Sequence, residues 1–127
     1  MRRHSSDRGA AVVEFALVLP LLIAILIGTI AFGHAFHIQT VIDNAARDGV
    51  RVYTIGNDAD PAAAARDTAI QSASPSIALT AAQIAVQPDP CTAGANARVT
   101  ITLTDFQLLG GIGVVTLTGS GSMRCNG

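Results

Sequence analysis

Hydrophobic and polar positions divide this chain into two unlike parts. From Phe15 to Ile42 there is no Asp, Glu, Lys or Arg, and Phe15 to Gly33 is interrupted only by Pro20, Gly28 and Thr29. An apolar run of about 18 residues or more reads as a transmembrane helix. The 19 residues from Phe15 to Gly33 would rise about 28 Å as a helix, close to the hydrocarbon thickness of a bilayer. A short head, MRRHSSDRG, precedes the run, and a far more polar body follows it.

The helical period does not stop at the expected membrane edge. Ile38, Val41, Ala45, Gly49 and Val52 recur at spacings of three and four, which predicts a projecting continuation to about Tyr53, ended near Gly56-Asn57. A helix from Ala10 to Tyr53 would rise about 65 Å. Pro20 removes one backbone donor and is expected to kink the helix near its start. Asp43 with Arg47 and Asp48 with Arg51 stand at ion-pair spacing on this helix. Ala45, Ala46 and Gly49 form a strip of small residues that admits a close neighbour, either another helix of an assembly or the protein's own body.

Asp60-Pro61 opens a second helix, with Asp60 as cap and Pro61 at its first position, and Ser74-Pro75 ends it. The period then changes to two. Ile84 and Val86 mark a first strand. Val99, Ile101 and Leu103 alternate with Thr100, Thr102 and Thr104 in a second, and Val115 and Leu117 with Thr116 and Thr118 in a third running toward Met123. One apolar and one Thr-rich face predict a half-buried antiparallel sheet of about three strands. The expected fold is therefore α+β: a long N-terminal helix, a second short helix and a small sheet. The expected divisions are a basic leader over 1–9, a transmembrane helix over 10–33, its projecting continuation over 34–55 and an extracytoplasmic body over 56–127. Between the second and third strands, Asp105 to Gly113 reads as an unusually apolar loop. It is expected to fold onto the body core, with the membrane surface or a partner subunit as the other surfaces it could touch.

Charge adds orientation. The head carries Arg2, Arg3 and Arg8 against Asp7, while the flank after the span is balanced, so the head should lie in the cytoplasm and the body outside. Export favours pairing of the two cysteines, Cys91 and Cys125, a closure worth roughly 3–4 kcal/mol in the chain-entropy model. In a body that stayed in the cytosol they would remain thiols. A removable secretory signal fits poorly, because its apolar core is only about 7–15 residues and Ala31-Phe32-Gly33 is a weak cleavage site. Charged residues make up only 13% of the chain and the net charge is −1, which is not the field of a nucleic-acid binder.

Catalytic chemistry is hard to find in the sequence. His34 and His37 stand three apart at the outer end of the span without a third metal ligand nearby, and read as interfacial polar residues. Gly110-Gly111-Ile112-Gly113 lacks the Lys and the strand–turn–helix setting of a phosphate loop. Gly119-Ser120-Gly121-Ser122 has no His in the body to activate a serine. No enzyme, metal, cofactor or small-molecule substrate is expected.

Glu14, the only Glu in the chain, stands at the mouth of the apolar run, where a carboxylate is costly. It is either an acid reaching the headgroups or one awaiting a cationic partner. The order of basic leader, Gly9, four small apolar residues, Glu14 and long apolar helix resembles type IV prepilins. Arg8-Gly9, Glu14-Phe15, Leu19-Pro20, Phe32-Gly33 and the AARDGVR segment Ala45 to Arg51 are similar to the TadE-like (tight adherence) pilus-assembly family.

That resemblance implies a structural membrane subunit, a minor pilin or pseudopilin of a Tad-type pilus or related secretion complex. It implies cleavage by a prepilin peptidase between Gly9 and Ala10, and Glu14 as the assembly contact. The implied partners are the membrane, the peptidase and other pilin or pilus-assembly subunits. Many major pilins begin with Phe where this chain would begin with Ala10. The competing expectation is an unprocessed single-pass protein whose external body binds a partner or ligand.

Overall fold

The computed structural model describes residues 4–126. Arg2 and Arg3 of the basic head lie outside the described residues. Helix α1 spans His4–Ile55, 52 residues, or about 78 Å at the usual rise. It starts before the expected Ala10 and carries the apolar run and its projecting continuation as one element. Pro20 lies inside it, and helical structure continues on both sides.

The two halves of α1 have different surroundings. Every residue from Asp7 to Ile27 is exposed. The projecting half buries Ile38, Ile42, Ala45, Ala46, Val50 and Tyr53. The buried stripe is turned slightly from the expected one, because Val41 and Val52 are only half-buried while Ile42 and Tyr53 point to the core.

Helix α2, Pro61–Ala73, is capped as the sequence predicts: the Ala63 N–H donates to Asp60 Oδ1 at 3.0 Å, and Pro61 sits in the first turn. Its buried face is all alanine, Ala62, Ala65, Ala69 and Ala73, and it lies on the small-residue strip of α1. At Gly49 a methyl group would come 3.0 Å from the Ala65 carbonyl oxygen and 3.4 Å from Ala69 Cβ. Of the two uses open to that strip, packing on the protein's own body is the one observed.

The sheet contains β1 (Ile84–Gln87), β2 (Asn96–Gln107) and β3 (Val114–Arg124) in the order β1-β2-β3, antiparallel throughout. Ala97, Val99, Ile101 and Leu103 of β2 are buried, as the alternation requires. β3 lies along α1. Gln39 Nε2 donates to the Thr118 carbonyl at 2.8 Å, and the Ser120 N–H donates to Asp43 Oδ1 at 3.3 Å. Asp48 accepts from Ser72 Oγ at 2.5 Å. The two acids placed at ion-pair spacing with Arg47 and Arg51 thus turn to the body instead, because backbone and hydroxyl donors of β3 and α2 lie beside them.

Cys91 and Cys125 form a disulfide with Cα atoms 5.7 Å apart. It ties the segment after β1 to the end of β3. The segment expected to be a loop, Asp105 to Gly113, begins as strand: Asp105, Phe106 and Gln107 belong to β2. A β-bulge at Asp105, whose φ is 58°, places one extra residue on β2 between the pairs Leu103–Leu117 and Phe106–Val115. The bulge switches the inward face from odd to even positions, so Phe106 and Leu108 turn toward α1.

Candidate functional site

The residues assigned to processing and assembly lie on one exposed stretch of α1. Gly9 and Ala10 are helical and solvent-facing, and Glu14 follows one helical turn after Ala10. A methyl group at Gly9 would meet nothing within 4 Å, and Gly28 and Gly33 are equally open. Glycine inside a helix costs about 1 kcal/mol relative to alanine. The fold of the single chain therefore gives no packing reason for glycine at position 9.

Glu14 is exposed between Val13 and Phe15, both more than half exposed. It has bare apolar helix on both sides, so in a bilayer it requires either the headgroup region or a cation from outside the chain. Pro20 stands six residues further along. It leaves the Ala16 carbonyl without its usual helical donor at the depth where the apolar run begins.

The outer end of the span meets the β2–β3 hairpin. Leu108 is buried against Ala31 and Ala35, in a cluster separate from the main core, with Phe106 and Val115 packed on it. The His34 ring stacks on Phe106 with centroids 5.9 Å apart. Phe32, Phe36, Leu108, Val115 and Leu117 line a shallow apolar groove here. Leu108 folds inward, but against the membrane helix and not the body core, and Leu109 and Ile112 stay exposed. His37 is exposed. Among the described residues no group of three or more His, Cys, Asp or Glu is placed to hold a metal ion.

Sequence reasoning passed over Gly119 and Gly121. Screened only as neighbours of a candidate nucleophile, they are where β3 touches the backbone of α1. Their signal was present: glycines two apart, in phase with the inward positions Val115 and Leu117.

α1 is the one helix among the described residues long and apolar enough to cross a membrane, and it lies near the N-terminus, which fits a single-pass membrane protein. Comparison with curated proteins and with solved structures gives no match to this chain. The model of the family described as TadE-like protein matches residues 9–51, about a third of the chain, so this stretch of α1 is similar to that family.

Proposed function

We propose that the chain is a structural subunit of a Tad-type pilus or a related secretion complex, a minor pilin or pseudopilin, and not an enzyme. Its head lies in the cytoplasm and its body outside, consistent with the Arg-rich head and the cross-linked body. A prepilin peptidase cuts between Gly9 and Ala10. The observation that carries this reading is the placement of Gly9, Ala10 and Glu14 on exposed helix at the start of the stretch similar to the TadE-like family.

Cleavage would turn Ala10 into a cationic terminus at the mouth of the apolar span. Glu14 of a neighbouring subunit supplies the matching anion, and pairing offsets much of the cost of burying both charges. The helix N-terminus itself also favours a nearby carboxylate. The bare surface from Asp7 to Ile27 is free for lipid before assembly and for neighbouring helices after it.

The test is the N-terminal sequence and intact mass of the protein recovered from its native membrane. A mature chain beginning at Ala10 is expected. A chain beginning at Met1 overturns processing and leaves an unprocessed single-pass protein, and one beginning beyond Gly33 means a secreted body.

A further inference from the structure

We infer that the tip of the β2–β3 hairpin, Leu108 to Val114, is a second membrane contact: it dips into the leaflet on the side of the body, beside α1. The inference rests on α1 crossing a membrane, but not on processing or pilus assembly.

Three levels of the hairpin can be read against the helix. Phe106 stacks on His34, just past the end of the apolar span. Leu108 is buried on Ala31 and Ala35. A methyl group on Gly110 would lie 3.8 Å from Ile27 Cγ2. From His34 back to Ile27 the helix descends about 10 Å. The hairpin therefore hangs down the side of the span, to about the 5–10 Å depth at which apolar surfaces settle at the boundary of headgroups and acyl chains.

The composition of the tip changes at the same level. From Leu108 to Val115 no side chain can form a hydrogen bond, and no charge occurs from Phe106 to Met123. Leu109, Ile112 and Val114 are 48%, 59% and 57% exposed. They extend the apolar surface that Ile27, Ile30 and Phe32 present on the neighbouring helix. The surface is continuous with the span, and so lipid is its occupant.

Backbone in hydrocarbon must have its polar groups satisfied. The turn closes part of its own requirement: the Leu108 N–H donates to Gly113 O at 2.9 Å and the Gly111 N–H to Leu108 O at 3.0 Å. The remaining groups limit the tip to the upper edge of the leaflet. A second consequence is mechanical. With both the span and the tip engaged, the body is held against the bilayer and not left to swing on the projecting helix.

The chain contains no Trp, so single-Trp variants give unambiguous probes. The full-length protein would be reconstituted sparsely in phosphatidylcholine vesicles with brominated acyl chains. Four variants are compared: Ile112→Trp and Leu109→Trp at the tip, Leu22→Trp in the span and Asn57→Trp at the far end of the body. All four positions are exposed, so none disturbs the core. The expected result is blue-shifted emission, largely quenched by the brominated lipid, for both tip probes and for the span probe, with Asn57→Trp unquenched. Tip probes that stay red-shifted and open to aqueous acrylamide, while the span probe is quenched, overturn this inference alone. Blue-shifted tip probes without bromolipid quenching mean a protein surface covers them and overturn it equally. An unquenched span probe overturns the membrane-spanning reading and the inference with it.

Discussion

Gly119 lies directly against the backbone of Ile42: a methyl group on its Cα would come 2.7 Å from the Ile42 carbonyl carbon and 2.8 Å from its oxygen. Two residues on, Gly121 meets Ala46 in the same way, at 2.7 Å from the carbonyl oxygen. These are backbone atoms of a helix and cannot rotate aside. Gly119→Ala and Gly121→Ala should each push β3 off α1 and cost about 1–3 kcal/mol, the range of overpacked cores. Thermal unfolding of the detergent-solubilised chain checks this. Ser120→Ala, an exposed neighbour, should change stability little. Equal effects at all three positions would mean that the contact does not limit the packing.

The disulfide separates two residues that are 34 apart in the chain, and closing a loop of that length is worth about 4 kcal/mol in the chain-entropy model. The core it supports is modest, since the buried residues of α2 are all alanines and only the half-buried Ile70 adds a larger side chain. Replacing Cys91 and Cys125 together by serine should therefore lower the stability of the body by about 3–4 kcal/mol. Unfolding of oxidised protein, of reduced protein and of the double variant would be compared. A double variant as stable as the oxidised protein would show that the packing alone holds the body.

These two cases show which kind of information the sequence displays openly. Periodic features were legible: the apolar span, the Asp60-Pro61 helix start and the alternation of β2 through Val99, Ile101 and Leu103 are local, and local spacing reports them. Features that depend on a distant partner were not. Asp43 and Arg47 look like an ion pair until β3 brings the Ser120 N–H to Asp43. Gly119 and Gly121 have no meaning until the strand meets the helix. The bulge at Asp105 hid the true strand end because it reverses the alternation that marks a strand. Gly9 and Glu14 are legible in another way, through a motif, and the roles proposed for them depend on molecules outside the chain.

Asp105 has φ 58°, in the left-handed region that costs an ordinary residue roughly 1–2 kcal/mol and glycine almost nothing. Asp105→Gly should hold or raise stability by up to about 1 kcal/mol, whereas Asp105→Val should lower it by about 1–2 kcal/mol. Deleting Asp105 should remove the extra residue, make the pairing of β2 with β3 regular and leave Phe106 and Leu108 facing α1, with the hairpin still on Ala31 and Ala35. Hydrogen exchange at the tip should therefore stay close to that of the parent chain. Loss of protection in the deletion variant would show that the bulge does more than absorb one residue.

Tyr53 is buried at the top of the projecting helix and donates its hydroxyl to the Pro88 carbonyl. Burial raises the phenol above its ordinary value of 10.0, and the nearby Asp89 carboxylate raises it further. A group with a raised folded-state pKa contributes stability that is fully present below its unfolded value, near 10 for tyrosine, and is lost as pH rises through the folded value. The body should thus weaken above about pH 10. Tyr53→Phe should cost about 1–3 kcal/mol at neutral pH, by leaving the Pro88 carbonyl without its donor, and should flatten the alkaline decline. Stability measured against pH for both proteins separates the two effects. An equally steep decline in the variant would assign it to other groups.

Glu14 carries the most direct functional prediction. Its carboxylate is exposed on bare helix, so within one chain it supports no fold contact that its removal would break. Removing a charge from the mouth of an apolar span also makes insertion easier, since an acid near the helix centre costs about 2.5–3.5 kcal/mol and less toward the end. Glu14→Ala and Glu14→Gln should therefore insert, fold and form the disulfide normally. Under the proposed cleavage both should nevertheless fail in assembly, because a cationic terminus at Ala10 would then lack its partner in the neighbouring subunit. Glu14→Asp, which keeps the charge on a shorter stem, should retain partial function. Membrane fractionation and surface-filament counts in cells carrying each variant decide the matter. Normal filaments with Glu14→Gln would show that charge pairing at this position is not what joins the subunits.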